Sequence, residues 1–199
     1  MLENAEKNII SNNKVKKYCE RTKYNYIKVK NKIKNDKMFA WFFVVDPIRQ
    51  NMYEIAAANF ITKIKDVKKF KKLSKHVFIE NGKIIDQKEM KKKGMDPTCK
   101  SIDFYWEYHG KEFFAYHKYT KDSGGHQDNQ YNDLQCFIDS ANISKDSNTI
   151  FLAIADGSFY NTNNGMANQT KMEKLEDMAN KKTVFALTIN ELKEFLKKY

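Results

Sequence analysis

Ile102-Asp103-Phe104-Tyr105-Trp106-Glu107-Tyr108-His109-Gly110-Lys111-Glu112-Phe113-Phe114-Ala115-Tyr116-His117-Lys118-Tyr119-Thr120 is the stretch whose reading decides the fold. Two aromatic, β-prone runs meet at His109-Gly110, so the segment reads as a hairpin. A turn there pairs Tyr108 with Lys111 and Glu107 with Glu112, and sets Asp103 opposite Tyr116. Alternation then gathers Asp103, Tyr105, Glu107, Glu112, Phe114, Tyr116 and Lys118 on one face. Ile102, Phe104, Trp106, Phe113, Ala115 and His117 take the other, core-directed face. A slip of one residue would mix the two sets.

Outward from the hairpin, helix and strand signals alternate. Asp46-Pro47 opens a helix over 48–65, with Asp46 as its N-cap. Asn81-Gly82 marks a turn between short strands over 76–79 and 83–85. A helix over 87–93 and a loop over 94–100 lead into the hairpin. After it come a loop over 121–125 and a helix over 126–140. The apolar run 149–155, closed by Asp156-Gly157, reads as a strand buried on both faces. A loop over 161–170, a helix over 172–179, a strand over 183–187 and a last helix capped by Asn190 complete the chain. The expected class is α/β: a central mixed β-sheet flanked by helices. Residues 46–199 form the main domain. Residues 1–45 form a basic helical or extended segment, with a helix over 3–19, an irregular or weakly extended basic stretch after it and an apolar, strand-length run over 38–45.

Composition narrows the class of function. A chain of 199 residues with 41% hydrophobic content can build one well-packed core. The net charge of +11 invites a polyanionic partner. That signal is discounted because the charge is nearly all lysine, with Arg21 and Arg49 the only arginines, and asparagine is abundant. No apolar run approaches the roughly 18 residues of a membrane span, and the polar N-terminus lacks a signal-peptide core, so a cytoplasmic protein is expected. Cys19, Cys99 and Cys136 are sparse and unclustered, which favours reduced thiols packed as small hydrophobes.

Chemistry concentrates around the hairpin. A carboxylate at Asp103 beside the ammonium of Lys118 suits phosphodiester hydrolysis: the acid can hold Mg²⁺, and the lysine can orient water or stabilise developing charge. The plainer alternative is a weak diagonal ion pair on an exposed sheet face. Ser123-Gly124-Gly125 follows at once and opens a helix, whose N-terminal N–H groups suit a phosphate. Gln127, Asn129 and Gln130 have side chains able to contact DNA backbone or base edges.

The succession Asp103, Lys118, Ser123-Gly124-Gly125 and a glutamine-bearing helix resembles the PD-(D/E)xK nucleases, in particular the cleavage domains of type IIS restriction endonucleases. Asp103 matches the first acid, Lys118 the lysine and Ser123-Gly124-Gly125 the turn. The helix around Arg49-Gln50-Asn51-Met52-Tyr53-Glu54 is similar to the helix whose glutamate faces the site. Residues 150–160 and 183–196 are similar to the later core elements. The resemblance covers 46–196. It implies a Mg²⁺-dependent endonuclease, with Mn²⁺ able to substitute, that cleaves double-stranded DNA at a specific site. Asp103, Glu54 and the His117 carbonyl would hold the metal, and Lys118 would assist catalysis. Lys121, Ser123, Gly124, Gln127, Asn129 and Gln130 would contact DNA. A homodimer and a cognate methyltransferase are the implied partners.

One position departs from the pattern. Tyr116 stands where the second acid belongs, and a phenol with an ordinary pKa near 10 is a poor Mg²⁺ ligand. Either Glu54 or Glu107 supplies the oxygen, the site runs on Asp103 with the His117 carbonyl, or the fold is a decayed nuclease that only binds or regulates. A RecB-like repair nuclease is a further alternative, on the Gln127-x-x-x-Tyr131 spacing. The His117 side chain is expected in the core, and Asp156 is expected to serve a structural turn.

Overall fold

The protein is described from a computed structural model. The structure describes residues 12–36, 39–40, 43, 47–73, 77–94, 97–121, 125–165 and 168–199. The chain divides into two compact units, Met1–Met52 and Tyr53–Tyr199.

In the first unit, helix α1 (Asn12–Thr22) is joined by a three-residue connection to α2 (Tyr26–Asn35). The sequence suggested an irregular or weakly extended stretch here, but Tyr26, Val29 and Ile33 fall on one helical face. Val29 and Ile33 are buried with Val15 and Phe43. Asn25 starts the helix by accepting the N–H groups of Ile27 and Lys28. Of the apolar run 38–45, Phe39 and Ala40 are helical rather than extended, and Asp36 Oδ1 accepts the Phe39 N–H at 2.9 Å. The rest of that run apart from Phe43, the beginning of the expected first helix and the Asp46 cap lie outside the described residues.

Helix α3 (Pro47–Thr62) leads into the second unit, where a five-stranded mixed sheet runs in the order β1-β4-β5-β6-β7. Its strands are β1 (Lys68–Lys72), β4 (Phe104–Tyr108), β5 (Lys111–Tyr119), β6 (Thr149–Asp156) and β7 (Val184–Leu187). The first three pair antiparallel, and β5, β6 and β7 pair parallel. A separate hairpin, β2 (Val77–Glu80) and β3 (Lys83–Asp86), turns at Asn81-Gly82 and is followed by α4 (Gln87–Lys92). The α/β class and the mixed central sheet are as the sequence indicated.

The register of the deciding hairpin is also as read. Tyr108 pairs with Lys111, Glu107 with Glu112 and Phe104 with Ala115, and the Asp103 N–H donates to the Ala115 carbonyl at 3.0 Å. His109 and Gly110 both have positive φ, 45° and 81°, as a twist-compatible two-residue turn requires.

Both sheet faces are covered. On one, Tyr116, Phe151, Ala153 and Ala155 pack against Leu134, Phe137 and Ile138 of α5 (Gly125–Asn142) and Leu175 of α6 (Lys171–Met178). On the other, Phe104, Trp106, Phe113, Leu152 and Ile154 meet Ala57 and Ile61 of α3 and Leu192 and Leu196 of α7 (Leu192–Leu196). All eight residues of β6 are buried. Each large aliphatic side chain so placed contributes about 1.5–3 kcal/mol over its exposed state. Ile102 departs from its expected face: it precedes the regular strand and joins the core that contains Tyr116. The last helix is preceded by Glu191, not capped by Asn190; Glu191 reaches back to the N–H and hydroxyl of Thr188.

The cysteines overturn another expectation. Cys99 and Cys136, 37 residues apart, are joined as a disulfide between the segment ahead of β4 and helix α5. Sequence spacing does not reveal a pairing that depends on how α5 docks. Cys19 is the one free thiol among the described residues.

Candidate active site

The end of β5 carries opposite jobs on its two faces. His117 points into the core, where its Nε2 lies 2.9 Å from Asp156 Oδ2 at the end of β6. The other oxygen of Asp156 accepts the Ile189 N–H at 2.9 Å. Asp156 is therefore a buried anchor for both β5 and the chain ahead of α7. Gly157 follows with φ 105°, and a Cβ there would collide with the Thr120 carbonyl. Only glycine fits that turn without strain.

On the opposite face stand Asp103, Tyr116 and Lys118. The His117 N–H donates to Asp103 Oδ2 at 2.8 Å, so the strand backbone fixes the carboxylate. Burial raises the Asp103 pKa above the usual carboxylate value; Lys118 and the His117 N–H oppose the rise, and Glu54 adds to it. Lys118 Nζ lies 4.3 Å from the centroid of the Tyr116 ring. Tyr116 is buried and its hydroxyl has no hydrogen-bond partner within the distance and angle of a regular bond. Burial pushes its pKa far up, and the charges of Asp133 and Asp103 push it further.

Glu54 arrives from α3. Its neighbour Tyr53 stacks on Tyr119, with centroids 3.4 Å apart, and Lys72 of β1 pairs with the Glu54 carboxylate at 3.0 Å. Its charge raises the Asp103 pKa, so the two acids lie within electrostatic reach of each other. Glu107 is elsewhere: it pairs with Lys69 at 2.8 Å and accepts the Tyr105 hydroxyl. Four residues along an extended strand set it roughly 13 Å from Asp103.

Asp133 was missed by the sequence reading. It stands half-buried on α5, on the stripe that also carries Gln130, Leu134 and Phe137, and its charge acts on the Tyr116 hydroxyl. An acid set into a core-facing helical stripe was the available signal. Gln130, expected at DNA, is buried; its Oε1 accepts the Thr120 hydroxyl at 2.7 Å. Tyr160 joins that cluster at 3.2 Å from Thr120, its phenol pushed up to about 12 by burial. Lys121 and Asn129 are exposed. Ser123, Gly124 and the side chain of Gln127 lie outside the described residues.

Among the described residues no three His, Cys, Asp or Glu side chains gather closely enough to hold a metal by themselves. Asp103 and Glu54 are the carboxylates that could serve a cation as hard oxygen donors, with Glu54 also paired to Lys72. One or two carboxylates completed by water and phosphate oxygens suffice for Mg²⁺.

A mixed sheet with helices on both faces, carrying acids and a lysine at one strand end, defines a restriction-endonuclease-like α/β protein. Residues 56–198 match the Tsp45I type II restriction enzyme family, and the chain belongs to it. Its class is therefore a nuclease with DNA as substrate. Neither the curated proteins nor the solved structures contain a significant match. Among the described residues no helix is long and apolar enough to cross a membrane.

Proposed function

We propose that this protein is a Mg²⁺-dependent type II endonuclease of the PD-(D/E)xK kind that hydrolyses double-stranded DNA at a specific sequence. The observation that carries the reading is Asp103, held by the His117 N–H, on the sheet face that also bears Lys118 and within the field of Glu54. Asp103, Glu54 and the His117 carbonyl would hold the ion. A Mg²⁺ ion held by these groups would supply polarisation of the scissile phosphate and of a nearby water. Mn²⁺ would substitute.

The chain's own groups have separable tasks. Lys118 orients the attacking water and stabilises the charge that develops on the phosphate. Tyr116 stands where the resemblance places an acid, and its ring seats the Lys118 ammonium beside the site. Asp133 acts by its charge on the buried Tyr116 hydroxyl and keeps it neutral. Lys121, Ser123, Gly124, Gln127 and Asn129 contact the DNA; Gln130 supports them through Thr120. A homodimer would match a palindromic site, since protein symmetry mirrors target symmetry, with a cognate methyltransferase protecting the host.

Plasmid cleavage with Mg²⁺ and with Mn²⁺ tests the reading against Asp103→Ala and Lys118→Ala. Discrete fragments from the parent protein, absent with both variants, are expected. DNA binding without cleavage under every metal condition would leave a decayed nuclease instead.

A further inference from the structure

Charge is distributed unevenly along this chain. Residues 12–36 contain nine Lys or Arg against two acids, a net of +7 in 25 residues, whereas the remaining 174 residues carry a net of only +4. A general lysine bias of the sequence would spread the excess evenly. In the second unit, lysines are repeatedly matched with carboxylates, as in Lys69–Glu107, Lys72–Glu54, Lys93–Glu89 and Lys197–Glu194. Between Arg21 and Asp36 there is no acid at all.

The local fold turns this charge outward. Val15, Val29 and Ile33 fill the interior of the α1–α2 pair, which leaves Lys16, Lys17, Lys28, Lys32 and Lys34 on exposed surface. Lys28 and Lys32, and Lys30 and Lys34, are four residues apart on the same helix. Each like-charged pair of this kind destabilises a helix by about 0.2–0.5 kcal/mol. Of the two acids, Asp36 is engaged in accepting the Phe39 N–H. Lys30 lies over the Tyr26 ring at 5.1 Å and Lys32 over the Phe39 ring at 5.2 Å. Glu20 is the other acid, but no ion pair among the described residues engages these lysines. A polyanion would relieve the repulsion that remains.

We propose that the α1–α2 hairpin is a second DNA-docking surface, gripping the phosphate backbone through Lys16, Lys17, Lys28, Lys32 and Lys34. It lies outside the family match, which begins at residue 56. The inference rests on DNA being the substrate, and adds to the nuclease site a contact that is independent of base sequence. Its contribution is affinity and residence on DNA, by making the second contact intramolecular.

The test is equilibrium binding of the full-length protein to a duplex without divalent ions, so that no cleavage intervenes. Salt is varied over about 50–200 mM, because each phosphate contact contributes about 0.9 to the slope of log affinity against log salt. The triple variant Lys28→Gln/Lys32→Gln/Lys34→Gln should lose at least about tenfold in affinity, with a slope shallower by about 2–3. Lys16→Gln/Lys17→Gln, on the other helix, should act in the same direction. Arginine at the same positions should preserve binding, which separates charge from fold. Wild-type affinity and slope in both glutamine variants overturn the proposal while leaving the nuclease reading intact. A parent protein that does not bind duplex DNA overturns both. Loss of binding to phosphatidylserine vesicles, with DNA binding unchanged, assigns the surface to a membrane and overturns it as well.

Discussion

The ammonium of Lys118 lies over the ring of Tyr116, 4.3 Å from its centroid, and both side chains leave β5 on the face opposite His117. The lysine is thereby placed by an aromatic face where a carboxylate would otherwise pair with it. An acid at residue 116 would hold Lys118 as an ion pair, whereas the ring leaves its N–H groups available to water and phosphate.

Removing the Tyr116 hydroxyl tests whether the ring alone is what the site uses. Tyr116→Phe deletes a buried group without a regular hydrogen bond, so thermal stability should be unchanged or higher by about 1 kcal/mol. The ring under Lys118 remains, so the cleavage rate should stay within about threefold of the parent. Melting curves and single-turnover cleavage on the same preparation check both parts.

Lys118→Ala should reduce cleavage by about 10²–10³, the size typical of losing one transition-state donor. DNA affinity should change little, because the effect belongs to the chemical step. An equal loss in binding and cleavage would count against that role.

The pH dependence of Asp103 has a definite sign. Its folded pKa is raised, mainly by burial, so ionisation is harder in the folded state than in the unfolded chain. The penalty is absent below the unfolded pKa, grows as pH rises and is complete above the folded pKa. Asp103→Asn keeps an acceptor for the His117 N–H but removes the charge. Its melting temperature should exceed that of the parent at pH about 7, and the difference should vanish toward pH about 3. Cleavage should be lost throughout, and the parent's activity should fall on the acid side above the ordinary carboxylate pKa.

Asp156→Ala should destabilise by about 3–5 kcal/mol, since it leaves the His117 ring and the Ile189 N–H without their buried partner. Gly157→Ala should also destabilise strongly, through positive φ and collision with the Thr120 carbonyl. Chemical denaturation measures both changes, and a loss under about 1 kcal/mol in either variant would contradict the anchoring role of this corner.

The hairpin was legible because its register follows from one turn and from alternation along two strands. β6 was legible because an unbroken apolar run between polar boundaries has few other uses. β1 was not: Lys-Lys-Phe-Lys-Lys has a single apolar residue and no alternation, and it becomes a strand by pairing its backbone with β4. Lysines on such an edge also discourage pairing with another chain. Asp133 escaped for a different reason, since an acid on a helix gains meaning only once the helix is docked over Tyr116. The disulfide shares that dependence on α5. Asp103 and Lys118 could be paired from sequence because they lie on one hairpin, whereas the approach of Glu54 depends on the Tyr53–Tyr119 stack and Lys72, which no local pattern encodes.

The bond between Cys99 and Cys136 closes a covalent ring, and that ring contains Asp103, Tyr116, His117, Lys118, every residue assigned to DNA at the nuclease site, and Asp133. Glu54 alone among the assigned groups of that site lies outside it. A single backbone cut anywhere within the ring leaves one molecule, so a nicked protein would migrate as a full-length chain until a reductant is added.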